Sequence, residues 1–145
     1  MRKTYITSRV GFVKWNKTNN REIIVYEYRV VIDRWVDGDT VDVNIDLGFG
    51  VWLKDQRVRL AGINTPESRT RDLEEKARGK AAHAFAERFA PAGEEAKLVC
   101  KSYDSKGKFG RILGEIWSVG EFADKSVNEY LLENGHAVEY HGGKR

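Results

Sequence analysis

Cysteine is almost missing from this chain. Cys100 stands alone among 145 residues, so no intrachain disulfide can form, and a secreted framework held by bridges is excluded. Long apolar runs are missing too, and none approaches the roughly 20 residues that a membrane-spanning helix needs. Met1 is followed by RKTYITSR rather than an apolar stretch, so the expectation is no secretory leader, a cytoplasmic location and no membrane partner. An excess of one charge is lacking: 25 Lys and Arg against 22 Asp and Glu leave +3, with a pI near 9.0. That mild basicity admits a polyanionic partner without demanding one. Repeats, linkers and low-complexity tracts do not occur. His83, His136 and His141 lack a paired cysteine and the His-Glu-x-x-His spacing, which argues against zinc. No Gly-x-Ser-x-Gly turn and no phosphate-cradling P-loop occurs. Cys100 lies in an alternating stretch and reads as buried rather than nucleophilic.

What is present is ordinary for a folded protein. With 41% hydrophobic and 32% charged residues, disorder is excluded as a global description, and the length fits one domain. Residues 1–22 read as an N-terminal extension, in which VGFVKW and the following EIIVYEYRV are placed to pair as a hairpin across Asn19-Asn20. Residues 23–145 read as a single domain. Apolar patterning begins at Ile23 and runs to Val36, where DGDT interrupts it. Val41, Val43, Ile45 and Leu47 then alternate with polar residues, the period of a strand with one wet face. After a turn at Gly48-Phe49-Gly50, a third strand runs through Trp52, Val58 and Leu60.

Beyond Pro66 the period changes. Leu73, Ala77, Ala81, Ala84, Phe85 and Phe89 recur at three- and four-residue spacing, predicting a helix that faces the core with these residues and stops before Pro91. Gly79 lies inside it at a cost of about 1 kcal/mol against alanine, so something there wants a small residue. Strands are expected over 96–103 and 111–117. Ser126-Val-Asn-Glu129 is a capping box that opens a short helix ending at Asn134-Gly135. The expected class is α+β, mainly β with helices: a five-stranded OB-fold-type barrel with one main helix between strands three and four and a short C-terminal helix.

Acidic residues crowd at Asp37, Asp39, Asp42 and Asp46, while basic ones gather at 69–80 and at 101–111. Taken singly, each feature has a bland reading. Asp-Gly is favoured in hairpin turns for conformational reasons, Glu67 after Pro66 suits a solvated loop, and Arg111 suits an exposed strand. Together they offer the parts of phosphodiester chemistry. Short acidic turns present hard oxygens to a divalent cation, a carboxylate can activate water, and arginine forks phosphate oxygens without losing its charge.

In order, DGDT, RLAGINTPE, KFGR and VNEYLLENGHA resemble the successive motifs of the staphylococcal nuclease-like (thermonuclease) family, over residues 26 to 141. The resemblance implies a calcium-dependent nuclease acting on DNA or RNA, with no obligate protein partner. It implies Asp39 as a direct metal ligand, Asp37 as a nearby carboxylate, and the carbonyl of Thr65 as a further ligand. It implies Glu67 as the base that activates water, and Arg59 and Arg111 as clamps on the phosphoryl oxygens. The family's products are 3′-phosphorylated fragments.

Two departures matter. Asn64 stands where the family usually has aspartate, so a ligand oxygen is kept and a negative charge is lost. Weaker calcium binding is expected, with the choice among Ca2+, Mg2+ and Mn2+ relaxed. Phe109 stands where tyrosine is frequent, keeping a stacking face without a hydroxyl, beside Lys108, and Tyr140 is the candidate for the second pocket tyrosine. The alternative from another class is an OB-type module that binds single strands without cutting. The lost aspartate favours it; a retained Arg59, Glu67 and Arg111 favour the enzyme.

Overall fold

The computed structural model describes residues 12–16, 21–100 and 111–141. These form a mainly β structure with two helices, in the order β1 (Phe12–Asn16), β2 (Arg21–Asp37), β3 (Thr40–Gly48), β4 (Val51–Leu60), β5 (Ile63–Asn64), α1 (Leu73–Phe89), β6 (Glu95–Cys100), β7 (Ile112–Ser118), α2 (Val127–Glu133) and β8 (Val138–Glu139). β1 pairs antiparallel with β2, Phe12 opposite Val25 and Asn16 opposite Arg21.

β2 organises the sheet because its 17 residues serve two neighbours. Its first half, Tyr26 to Val31, pairs with β6, and Arg29 to Asp37 pairs with β3. The register against β3 shifts between Ile32 and Arg34 and again between Trp35 and Asp37, the irregularities by which a long strand bends. β3 pairs with β4, β4 runs parallel to β7, and β7 pairs with β6. Since β6 also pairs with β2, the pairings of β2, β3, β4, β7 and β6 return to their start.

Alternation fills the interior. Val30 and Ile32 of β2, Val41, Val43 and Ile45 of β3, Val58 and Leu60 of β4, Leu98 of β6 and Ile116 of β7 are buried in one cluster. Burying one such side chain contributes about 1.5–3 kcal/mol. Cys100 is buried with them.

α1 starts where Asp72 accepts from the backbone N–H of Glu74 and Glu75, a side-chain N-cap. Its core face differs from the expected stripe. Leu73 is 80% exposed, Ala77, Ala81 and Ala84 are exposed, and Gly79, Ala82 and Ala86 are the buried residues, with Phe85 and Phe89 half-buried. The reason is distance rather than hydrophobicity. A Cβ on Gly79 would lie 2.4 Å from the carbonyl oxygen of Glu67, and one on Gly38 would lie 2.9 Å from Cβ of Ala82. The helix therefore presses its smallest residues against the β2–β3 turn and the loop after β5. That is where the small residue at 79 is needed.

α2 is opened by Ser126, whose Oγ accepts from Glu129 N–H at 3.1 Å. Its buried Asn128 ties it to the sheet. The carboxamide donates to the carbonyls of Ala61 (2.9 Å) and Gly114 (3.4 Å) and accepts from Ile116 N–H (3.3 Å).

Candidate active site

DGDT forms the tight turn between β2 and β3, and each of its two aspartates grips the loop that follows β5. Asp39 is 5% exposed. Its Oδ2 accepts the backbone N–H of Thr65 at 2.9 Å, and its Oδ1 accepts the Thr40 hydroxyl at 3.0 Å. Asp37 Oδ1 accepts both the hydroxyl (2.5 Å) and the backbone N–H (3.3 Å) of Ser68. The two carboxylates thus hold the chain on either side of Pro66-Glu67. Glu67 itself is solvent-exposed, its backbone N–H donating to Oε2 of Glu75 at 3.3 Å. Its carbonyl side lies under α1 at Gly79.

Arg59 comes from the end of β4, paired with Thr40 of β3, and is 8% exposed. One guanidinium nitrogen, Nη1, donates to the Leu60 carbonyl at 2.9 Å and lies 3.5 Å from Oδ2 of Asp39. The other, Nη2, donates to Oδ1 of Asn64. Tyr140 follows β8, which pairs with β5, and its N–H donates to the Gly62 carbonyl at 2.8 Å. Its ring centre lies 5.8 Å from Cζ of Arg59, within cation–π range.

Arg111 is half-buried and immediately precedes β7. The parallel register sets Ile112 beside Val58 and Leu113 beside Arg59. The backbones of residues 59 and 111 therefore come within about 8 Å, from the interstrand spacing and two residues of rise. Lys108 and Phe109 lie outside the described residues. The fold so unites Asp37, Asp39, Arg59, Asn64, Thr65 and Tyr140, with Glu67 on the loop they hold and Arg111 just before the adjoining strand β7.

The donor set is oxygen-only. Asp39 and Asn64 turn their oxygens toward one positive group, the Arg59 guanidinium, so they suit a hard cation in charge and donor chemistry. Among the described residues no cluster of three or more His, Cys, Asp or Glu is placed to hold a metal, consistent with a neutral residue at 64.

Three contributors escaped the sequence reading. Ser68 and Thr40 bind the two aspartates, and Asn128 ties α2 to Ala61, just past the end of β4 that bears Arg59, and to Gly114 and Ile116 within β7. Only Asn128 carried a hint, sitting inside the capping box without a capping role.

This geometry has relatives. The profile described as staphylococcal nuclease homologue matches residues 57–145, well over half of the chain. The chain is 31% identical over 109 residues to the thermonuclease of Staphylococcus intermedius, an alignment covering 74% of this chain and 56% of that protein. It is 26% identical over 119 residues to Endonuclease YhcR of Bacillus subtilis (strain 168), covering 79% of this chain and 9% of that protein. The chain thus spans little more than half of one relative and a small part of the other. With its matched residues running from the end of β4 through α2 and β8, it belongs to the staphylococcal nuclease homologue family.

Proposed function

We propose that the protein is a divalent-cation-dependent phosphodiesterase of thermonuclease type that cuts DNA or RNA. The domain is read as residues 23–145, with residues 1–22 as an extension, and the closed ring of strand pairings is read as an OB-type barrel. The observation that carries the reading is the DGDT turn gripping both sides of Glu67's loop while Asp39 faces Arg59 at 3.5 Å. Names of two relatives, thermonuclease and endonuclease, support the same class.

In this reading Asp39, Asn64 and the Thr65 carbonyl would hold calcium, with magnesium and manganese as alternatives, and Asp37 would stand nearby. The bound ion would supply charge neutralisation at the phosphoryl group and favour ionisation of water. Glu67 accepts the proton of the attacking water. The water oxygen bonds to phosphorus as the bond to the 5′ oxygen breaks, the 5′ oxygen takes a proton, and a 3′-phosphorylated fragment leaves. Arg59 and Arg111 hold the phosphoryl oxygens as charge builds on them. Lys108, Phe109 and Tyr140 bind the flanking nucleotide.

The test is digestion of plasmid and single-stranded DNA with calcium, magnesium or manganese, and with EDTA. Cutting that stops with EDTA and falls at least about 100-fold in R111A supports the proposal, the scale of losing one preorganised donor. Tight retention of DNA without cutting in any metal would replace it with the non-cleaving single-strand binder.

A further inference from the structure

The Arg59 guanidinium is held on three sides by oxygens. It donates to the Leu60 carbonyl and to Oδ1 of Asn64, and it lies 3.5 Å from Oδ2 of Asp39. The side chains of Arg59 and Asp39 are 10% and 6% exposed, so a buried positive charge faces a buried negative charge. We propose that Arg59 is a built-in cation that competes with an incoming divalent ion for the oxygens of Asp39 and Asn64. In the absence of nucleic acid Asn64 is thus the latch that holds Arg59 in place, and it becomes free to ligate only when Arg59 is drawn away. The inference rests on the cation site read above.

The physical basis is charge balance. A divalent ion beside Asp39, with Arg59 in its present place, would add two positive charges next to the guanidinium, with Asp39 facing both cations in a poorly solvated site. Such an excess is strongly disfavoured. A carboxylate at position 64 would supply the second negative charge that lets both cations stay. The carboxamide of Asn64 supplies none. Its oxygen is also already engaged by Arg59 Nη2, so metal ligation by Asn64 requires breaking that hydrogen bond. In the absence of nucleic acid the two cations therefore exclude one another, and Asn64 acts through Arg59 as a positioning residue.

The test is calcium titration of the full chain by calorimetry and thermal melting, without nucleic acid, for the wild type, R59Q and N64A. R59Q is expected to melt below the wild type without calcium, because Asp39 loses its buried counter-charge. Calcium should then raise its melting temperature more than it raises that of the wild type. Its calcium affinity should exceed the wild type's by at least about tenfold, the effect of removing one positive charge roughly 5 Å from a divalent ion even under full water screening. N64A should bind calcium at least as tightly as the wild type although an oxygen has been removed. Weaker binding by N64A would make Asn64 a ligand and overturn the latch. R59Q affinity no higher than that of a wild type that cuts DNA in a calcium-dependent way would overturn the competition alone. Absence of calcium binding in every variant, together with cutting in EDTA, would overturn both the competition and the cation site.

Discussion

Asp39 joins three elements through one carboxylate: the Thr65 amide after β5, the Thr40 hydroxyl in β3 and the Arg59 guanidinium in β4. Asp39→Ala removes a buried charge facing the Arg59 guanidinium, and such removals cost about 3–5 kcal/mol. Urea denaturation should register that loss together with abolished cutting. Asp37 is a different case, because both of its hydrogen bonds from Ser68 go to a single oxygen, Oδ1. If its task is to brace Glu67's loop, Asn at 37 keeps the acceptor. Cleavage by D37N should then stay within a fewfold of wild type while D37A loses much more. Equal losses in both variants would mean that the charge matters, not the brace. As candidates, the acids, the arginines and Asn64 were legible because they sit in ordered motifs whose chemistry is specific. Ser68 and Thr40 were not, since a hydroxyl in a turn has many local uses and its partner here lies up to 31 positions away.

At the scale of elements, α1 is the piece whose packing the sequence misrepresents. Hydrophobic periodicity selected Leu73, Ala77, Ala81, Ala84, Phe85 and Phe89; the two phenylalanines do pack against the core, but the fully buried face is Gly79, Ala82 and Ala86. Close approach to backbone is set by size, which a hydrophobicity count does not weigh. Gly79→Ala would drive a Cβ into the Glu67 carbonyl at 2.4 Å. It should cost about 1–3 kcal/mol, the usual price of overpacking, and should depress cleavage by displacing Glu67. Ala84→Gly, on the exposed face of the same helix, should cost about 1 kcal/mol and leave cleavage unchanged. A G79A protein as active as wild type would detach α1 from the positioning of Glu67. Elsewhere in the sheet, Asp42 of β3 binds Arg57 of β4 and Arg34 of β2. The Arg57 hydrogen bond, seconded by the charges of both arginines, lowers its pKa below the usual aspartate value. A lowered folded-state pKa gives stability that is present above about pH 4, the unfolded value. That stability fades as the pH falls through the folded value. The stability gap between wild type and Asp42→Asn should therefore be full near neutrality and shrink in acid. A gap that widened below pH 4 would contradict the assignment.

At the scale of the whole molecule, the pairing of β4 with β7 does what local sequence cannot disclose. It is the parallel contact in the sheet, and its register sets Leu113 beside Arg59 and so brings Arg111 alongside from more than 50 positions away. Both strands were expected along the chain, but a strand pattern carries no information about which strand neighbours which. The double pairing of β2 was hidden for the same reason. Net charge gives one prediction at this scale. If the chain binds nucleic acid through its lysines and arginines, affinity should fall steeply with salt as counterions are released, and an affinity indifferent to salt would exclude a basic groove. The central claim is that the acid on the loop gripped by Asp37 and Asp39 is the one that activates water. Its most direct test is single-turnover cleavage of end-labelled DNA in calcium by wild type and Glu67→Gln, at matched DNA occupancy. The expected result is a loss of at least about 100-fold in rate, the scale of general-base catalysis, with DNA binding retained. Cleavage by E67Q at the wild-type rate would contradict it.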